Sequence, residues 1–305
     1  MHPKDRKPMP LEKKHSYHLV HIPELAVQIQ ANSSVENHPS GRALSVLTEE
    51  KARALSMDFE CSMRQVSLQA MEQDIILKRY LRNLESLDIA EQLELARNTV
   101  AVIGAGGLGG QVILTLARLG IGELHVIDPD VFDETNLNRQ VLCTVHTLGL
   151  SKARTAAEAV KSINPSVEVK AHTQRFCREN GRHLLSGVQV AVDCLDSVQD
   201  RFVLQDWAKD LGIPLVHAAI DGFLAQVMTI YPRDPGLEEL YSRKQKERPS
   251  PAGNPVFAPG VAALFQAMEV LKVILGRGSL IHKSFLFMDL EANRLDHVPL
   301  NGREA

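Results

Sequence analysis

The chain is poor in cysteine. Its 305 residues include four, Cys61, Cys143, Cys177 and Cys194, and no two of them stand at the spacing of a metal-ligand pair. A tetracysteine zinc site built from two C-x-x-C pairs therefore cannot form, and no structural zinc is expected. Cys143 and Cys194, set in apolar surroundings, read as small buried hydrophobes rather than reactive thiols. So few unpaired thiols fit a reducing compartment, and the cytoplasm is the expected location. Excess charge is missing too: 34 Lys and Arg against 37 Asp and Glu leave a net charge of −3. That balance gives no footprint for nucleic acid. No stretch approaches the length of a membrane span, and the basic scatter at the N-terminus is followed by no apolar signal core. Neither a membrane nor a secretory route is expected.

What the chain does have is 44% hydrophobic content and length enough for one large α/β domain plus an extra segment. After residue 98 the pattern alternates. Strands are expected over 99–104, 123–128, 167–171, 188–194 and 214–220, and helices over 107–119, 149–163, 179–185 and 197–211. Gly212 follows the last of these as a usual C-terminal stop. Such alternation implies a Rossmann-like, mostly parallel sheet with helices on both faces and a crevice at its C-terminal edge. Residues 224–231, 284–289 and 294–299 read as a C-terminal antiparallel extension. Residues 233–255, rich in Pro and charge, read as a mobile crossing loop.

The first 75 residues are set apart as an N-terminal extension, and residues 76–305 as the main domain. Residues 1–14 are polar and read as disordered, and 32–41 as a linker. Residues 19–30 suit either a strand pair or a short amphipathic piece. Residues 47–83 read as a long helical region capped by Thr48, with Glu49 and Glu50 in its first turn, so the extension is expected to be mainly helical.

The densest chemistry lies between Thr99 and Lys152. Thr99-Val-Ala-Val-Ile-Gly104 is a β-branched run, and Ala105-Gly106-Gly107-Leu108-Gly109-Gly110 follows it directly. That is the strand, glycine turn, helix order of a dinucleotide-binding unit, in which the helix N-terminus faces a phosphate. A second strand ends at Asp128, placed to accept ribose hydroxyls. That much suits NAD. The continuation through Asp130, Asn136, Arg139, Gln140 and Lys152 does not, because a pyrophosphate held by backbone amides has little use for an Arg and a Lys together. A site that breaks an α–β phosphate bond needs them, since positioning and charge stabilisation are most of that catalysis.

These residues make the chain resemble the adenylating enzymes of the MoeB/ThiF/HesA family, bacterial relatives of the ubiquitin-activating enzymes. The resemblance covers roughly residues 78–300, and its motifs occur in order. Arg79-Tyr-Leu-Arg82 is similar to the opening R-Y-x-R, Gly104-Ala-Gly-Gly-Leu-Gly109 to the phosphate loop, and Asp128-Pro-Asp130 to D-x-D. Asn136-Leu-Asn-Arg-Gln140, Gly149-Leu-Ser-Lys152, Ile163-Asn-Pro165 and Asp193-Cys-Leu-Asp196 follow. The segment Gly260 to Lys272 resembles the family's G-V…Q-A-x-E-x-x-K helix. Many members carry two C-x-x-C pairs, which this chain lacks, and no cysteine lies in residues 233–259, so thioester transfer from that loop is not expected.

The resemblance implies ATP as the nucleotide. It implies that Gly104, Gly106, Gly107 and Gly109 form the phosphate loop, with Asp128 on the ribose and Arg139 and Lys152 on the β- and γ-phosphates. Asp130, Asn136 and Gln140 complete the polar shell. Asp196 would hold Mg²⁺, and Arg82 would reach a partner's site in a homodimer. The reaction implied is attack by the C-terminal glycine carboxylate of a small ubiquitin-like or sulfur-carrier protein, ending in Gly-Gly, on the α-phosphate of ATP. Other readings stay open. Asp128 could accept only backbone amides, Asp196 could serve the N-cap region of the following helix, and Arg82 could be a solvated charge. The same ATP site could instead serve a cyclodehydratase or adenylating enzyme acting on a tRNA nucleoside or a peptide.

Overall fold

A computed structural model describes residues 21–244 and 253–300. The expectations for residues 1–14, and for 245–252 within the crossing loop, lie outside the described residues.

The N-terminal extension is a mixed α/β body. Helix α1 (Pro23–Asn32) starts with Pro in its first turn, and strands β1 (Ser34–Asn37) and β2 (Ala43–Leu47) pair as a hairpin whose first strand and turn occupy the expected linker over 32–41. Gly41, at φ +86°, makes its turn. The single long helix expected over 47–83 is broken twice. Thr48 does cap α2 (Glu49–Asp58), accepting the Lys51 N–H. Glu60 then turns at φ +47°, and Ser62 caps a new helix, α3 (Met63–Met71). Asp74, at φ +57°, ends it, and Ile75–Leu77 forms β3, parallel to β2. β-Branched Ile75 and Ile76 suit a strand better than a helix turn, and Lys78–Asn83 closes the body as a 3₁₀ turn. Leu25, Ile29, Val46, Leu47, Val66 and Ile76 give it a core of its own.

The main body begins with α4 (Ile89–Arg97), closed by an Asp88/Glu91 capping box. Its strands are β4 (Thr99–Ile103), β5 (Glu123–Ile127), β6 (Glu168–His172), β7 (Val190–Asp193), β8 (Leu215–Asp221), β9 (Leu224–Ile230), β10 (Ser284–Asp289) and β11 (Arg294–Pro299). They form one eight-stranded sheet in the order β11-β10-β9-β8-β7-β4-β5-β6. From β6 to β8 all neighbours are parallel, and from β8 to β11 all are antiparallel. The connecting helices are α5 (Gly107–Leu119), α6 (Lys152–Ile163), α7 (Gly181–Leu184), α8 (Val198–Leu211) and α9 (Phe257–Leu275). Chain order reverses at β4, between β5 and β7, which is where an open α/β sheet forms its ligand crevice.

The long, apolar α9 corrects one expectation, because 19 residues of this composition do reach the length of a membrane span. Here that length is core. Ala262, Ala263, Ala267 and Val270 are fully buried, and so are the polar Gln266 and Glu269, which a lipid-facing helix would not carry. Glu269 accepts from the Thr229 hydroxyl and the Ile281 N–H.

The two bodies are joined through Arg64 of α3, 1% exposed. Its guanidinium lies 3.3 Å from Glu123 on β5 and 3.1 Å from Glu168 on β6, and it donates to the Ala96 carbonyl. The Tyr80 hydroxyl takes a bond from Asn164, and Arg79 donates to the Ile163 carbonyl. The first body is thereby fixed to the edge of the sheet nearest β5 and β6.

Candidate nucleotide site

Strand β4 hands the chain to α5 through a turn that only glycine can make. Gly104 sits at φ +97°, and a Cβ there would fall 2.5 Å from the Cys194 carbonyl oxygen. At Gly109 a Cβ would fall 1.8 Å from the Gly104 carbonyl oxygen, so the first turn of α5 packs directly on the loop. Gly106 and Gly107 meet no such crowding; a Cβ there would make ordinary contacts, 3.6 Å from Gln140 and 3.4 Å from Pro259, on the side to which the loop opens. The free N–H groups of α5 and its dipole point the same way.

A cavity of about 1480 Å³ opens there. Of the residues singled out from the sequence, Gly104, Gly106, Gly107, Asp128, Asp130, Arg139, Gln140, Lys152 and Asp196 line it. Gly109 supports the loop from behind. Asn136 does not reach the cavity: its carboxamide oxygen accepts the Asp133 N–H and holds the 3₁₀ turn Glu134–Asn136 that carries Arg139. Arg82 is exposed and lies outside the cavity of its own chain.

Asp128, 5% exposed, uses both carboxylate oxygens on the backbone, taking the Ala105 N–H at 2.7 Å and the Asp130 N–H at 2.8 Å. Burial pushes its pKa up, against the lowering effect of those two bonds. It therefore clasps the glycine loop to the end of β5, and each oxygen keeps a second lone pair for a ligand. Lys152 is the first residue of α6, which starts later than the sequence suggested because Ser151 is its cap. Its ammonium is 8% exposed as a residue and rests 3.1 Å from Asp130. Arg139 bonds the Thr135 carbonyl and Asn138. Beside them the buried Oε1 of Gln140 has no hydrogen-bond partner, and its Nε2 lies 3.6 Å from where a Cβ on Gly106 would be. A buried acceptor without a partner is rare, which makes Gln140 a candidate ligand contact. Asp196 is exposed on the turn between β7 and α8, while Ser197 supplies the cap of α8 by taking the Asp200 N–H. The carboxylate of Asp196 is thus left for other use.

The sequence did not reveal the other half of the cavity. Ala219, Ile220, Leu224, Ala225 and Phe287, from β8, β9 and β10, give it an apolar wall, and Arg201, Gln226 and Tyr241 give it a polar one. No short motif announces these residues, because the wall is assembled across strands; Gln226 stands opposite both Ala219 and Phe287 in the register.

The chain was compared with known proteins. The ThiF family profile matches residues 78–305. The SAMP-activating enzyme E1 of Haloferax volcanii is 35% identical over 233 residues, which are 73% of this chain and 85% of that protein. The adenylyltransferase and sulfurtransferase MOCS3 of Mus musculus is 37% identical over 230 residues, 72% of this chain but 49% of the relative. This chain thus spans about half the length of MOCS3. Among solved structures, E. coli MccB with ATP superposes with a TM-score of 0.62 at 21% identity, over 82% of each chain, a likeness of fold. The chain belongs to the ThiF family and is an adenylyltransferase of the MoeB-like, E1-like kind.

Proposed function

We propose that this chain uses ATP to adenylate the C-terminal glycine carboxylate of a small ubiquitin-like or sulfur-carrier protein. One observation carries the reading: a phosphate loop, two cations and an exposed carboxylate line one half of a cavity whose other half is an apolar sheet wall. The first half suits a triphosphate, and the second suits a short extended peptide tail. A carboxylate oxygen attacks the α-phosphorus, the bond to the β-phosphate oxygen breaks, and pyrophosphate leaves with that electron pair. No redox partner is needed.

In this reading the amides around Gly106 and Gly107 cradle phosphate oxygens. Arg139 and Lys152 neutralise the leaving pyrophosphate, Lys152 exchanging Asp130 for phosphate. Gln140 Oε1 accepts from the nucleotide, and Asp128 meets the ribose. Mg²⁺, a hard cation suited to carboxylate and phosphate oxygen, would be held by Asp196 and would supply charge neutralisation. We further propose a cytoplasmic homodimer in which Arg82 acts on the site of a second copy, with no structural zinc. The exposed position of Arg82 outside its own cavity supports an action in trans.

ATP–pyrophosphate exchange tests the proposal. Exchange that depends on a small protein ending in Gly-Gly, and falls away in Lys152→Ala, is expected. Exchange supported equally by a peptide amide, or by a tRNA, would overturn the carrier assignment.

A further inference from the structure

Behind the cavity wall lies a buried dyad that the phosphate chemistry leaves unused. Asp193, the last residue of β7, and His217 on β8 are opposite each other in the register and both 0% exposed. One oxygen of Asp193 accepts the Leu195 N–H at 3.0 Å, and the other lies 2.7 Å from His217 Nδ1. The proton between them sits on Nδ1, since a carboxylate beside it can only accept. Burial holds the His217 pKa low, against the raising effect of Asp193. The ring is therefore neutral, and its Nε2 presents a lone pair.

Two donors reach that lone pair, and one is Gln226, whose Nε2 stands 3.5 Å away. The other is the Tyr241 hydroxyl, 3.5 Å from His217 Nε2, with the two rings edge to face. The phenol oxygen in turn takes N–H bonds from Gln226 and Arg201. Every member is then assigned a direction, from Tyr241 to His217 to Asp193. Arg201 also donates twice to the Leu195 carbonyl, at 3.1 and 2.7 Å, and so steadies the turn that carries Asp196. The groups facing His217 are Asp193 from β7, Arg201 from α8, Gln226 from β9 and Tyr241. Gln266 of α9 backs the dyad through the Asp193 carbonyl.

Resting on the adenylation reading, we infer that His217 and Tyr241 form a latch that holds the root of the crossing segment against the carboxylate-accepting half of the cavity. His217 is thus a positioning residue, acting through Tyr241, which lines the cavity. The nucleotide half is built on β4, β5 and α6 and meets the latch only at the turn after β7 that Arg201 braces.

The test uses the full chain with two probes: Mg·ATP, and glycylglycyl sulfamoyl-adenosine, an unreactive mimic of a peptidyl adenylate. Tyr241→Phe and His217→Ala should weaken the mimic at least ten-fold and leave ATP binding within two-fold. His217→Gln can offer an N–H to Asp193 and an oxygen to Tyr241. It should recover most of the lost affinity, and it should remove the weakening expected of wild type at acid pH, where Nε2 takes up a proton. Hydrogen exchange of residues 236–244 should rise in Tyr241→Phe and His217→Ala and be restored in His217→Gln. Equal losses for both probes, a pH profile unchanged in His217→Gln, or unaltered exchange in Tyr241→Phe would each overturn the latch. If wild type binds ATP but not the mimic, the substrate reading fails, and the exchange experiment alone decides the latch.

Discussion

Lys152 stands in the first turn of α6, where the positive end of the helix dipole disfavours a cation, and it is buried as well. In this structure Asp130 answers its charge, and the Gly-x-x-Lys spacing singled it out in the sequence. Asp196 was singled out by the resemblance of Asp193-Cys-Leu-Asp196 to a family motif; it lies on the turn after β7, and the capping of α8 falls to Ser197. Asp196→Asn should therefore cost roughly a hundred-fold or more in Mg²⁺-dependent exchange, with thermal stability within about 0.5 kcal/mol of wild type. Retained exchange would return Asp196 to a structural role. Glu123 is a different kind of acid. His125 first, and then Lys170, draw its pKa from the ordinary 4.5 down to about 2, against the opposing effect of burial. A depressed carboxylate stabilises the fold above its unfolded pKa, and that contribution is lost as pH falls from 4.5 towards 2. Glu123→Gln should cost up to about 3 kcal/mol at neutral pH. In denaturant titrations the gap from wild type should close as pH drops through that window.

The junction of β4 and α5 shows how much an element can declare in advance. A β-branched run, a glycine turn and an apolar helix stripe leave one reading, and the helix bounds matched it. The loop also separates two kinds of glycine. Gly109→Ala puts a methyl group into the Gly104 carbonyl and should destabilise the protein by about 2 kcal/mol or more. Gly106→Ala finds room beside Gln140, so it should fold while losing ATP affinity as the methyl occupies phosphate space. Unfolding curves paired with ATP titrations distinguish the two. The residues over 47–83 were less legible. Thr48 announced the helix start correctly, but nothing local marks Glu60 as a left-handed turn, and Asp74, of a type that tolerates that conformation, gives only a weak signal. The packing here is the parallel pairing of β3 with β2, a contact between distant residues that no local pattern encodes. The hairpin of β1 and β2 was missed because β1 and its turn are polar and read as a linker, while the apolar β2 shows its strand character only once β3 pairs beside it.

For the whole molecule, Arg64 ties the first body to the sheet that carries the site. Without Arg64, Glu123 keeps His125 and Lys170 and Glu168 reaches solvent, so the loss is that of the guanidinium's own bonds and packing, about 1–3 kcal/mol. Arg64→Ala should therefore lower thermal stability and expose residues 72–89 to limited proteolysis, and unchanged proteolysis would show that the bodies are held by other contacts. The cavity itself sits at the switch point of the sheet, where both a dinucleotide and a triphosphate can bind. In the proposed reading their difference rests on Arg139 and Lys152, whose charges a triphosphate needs and NAD does not. Calorimetry of the full chain with Mg·ATP, NAD and the Lys152→Ala variant measures that difference directly. The account predicts Mg·ATP binding clearly tighter than NAD, with the preference lost in Lys152→Ala. NAD binding as tightly as Mg·ATP to wild type, or an ATP preference untouched by Lys152→Ala, would contradict it.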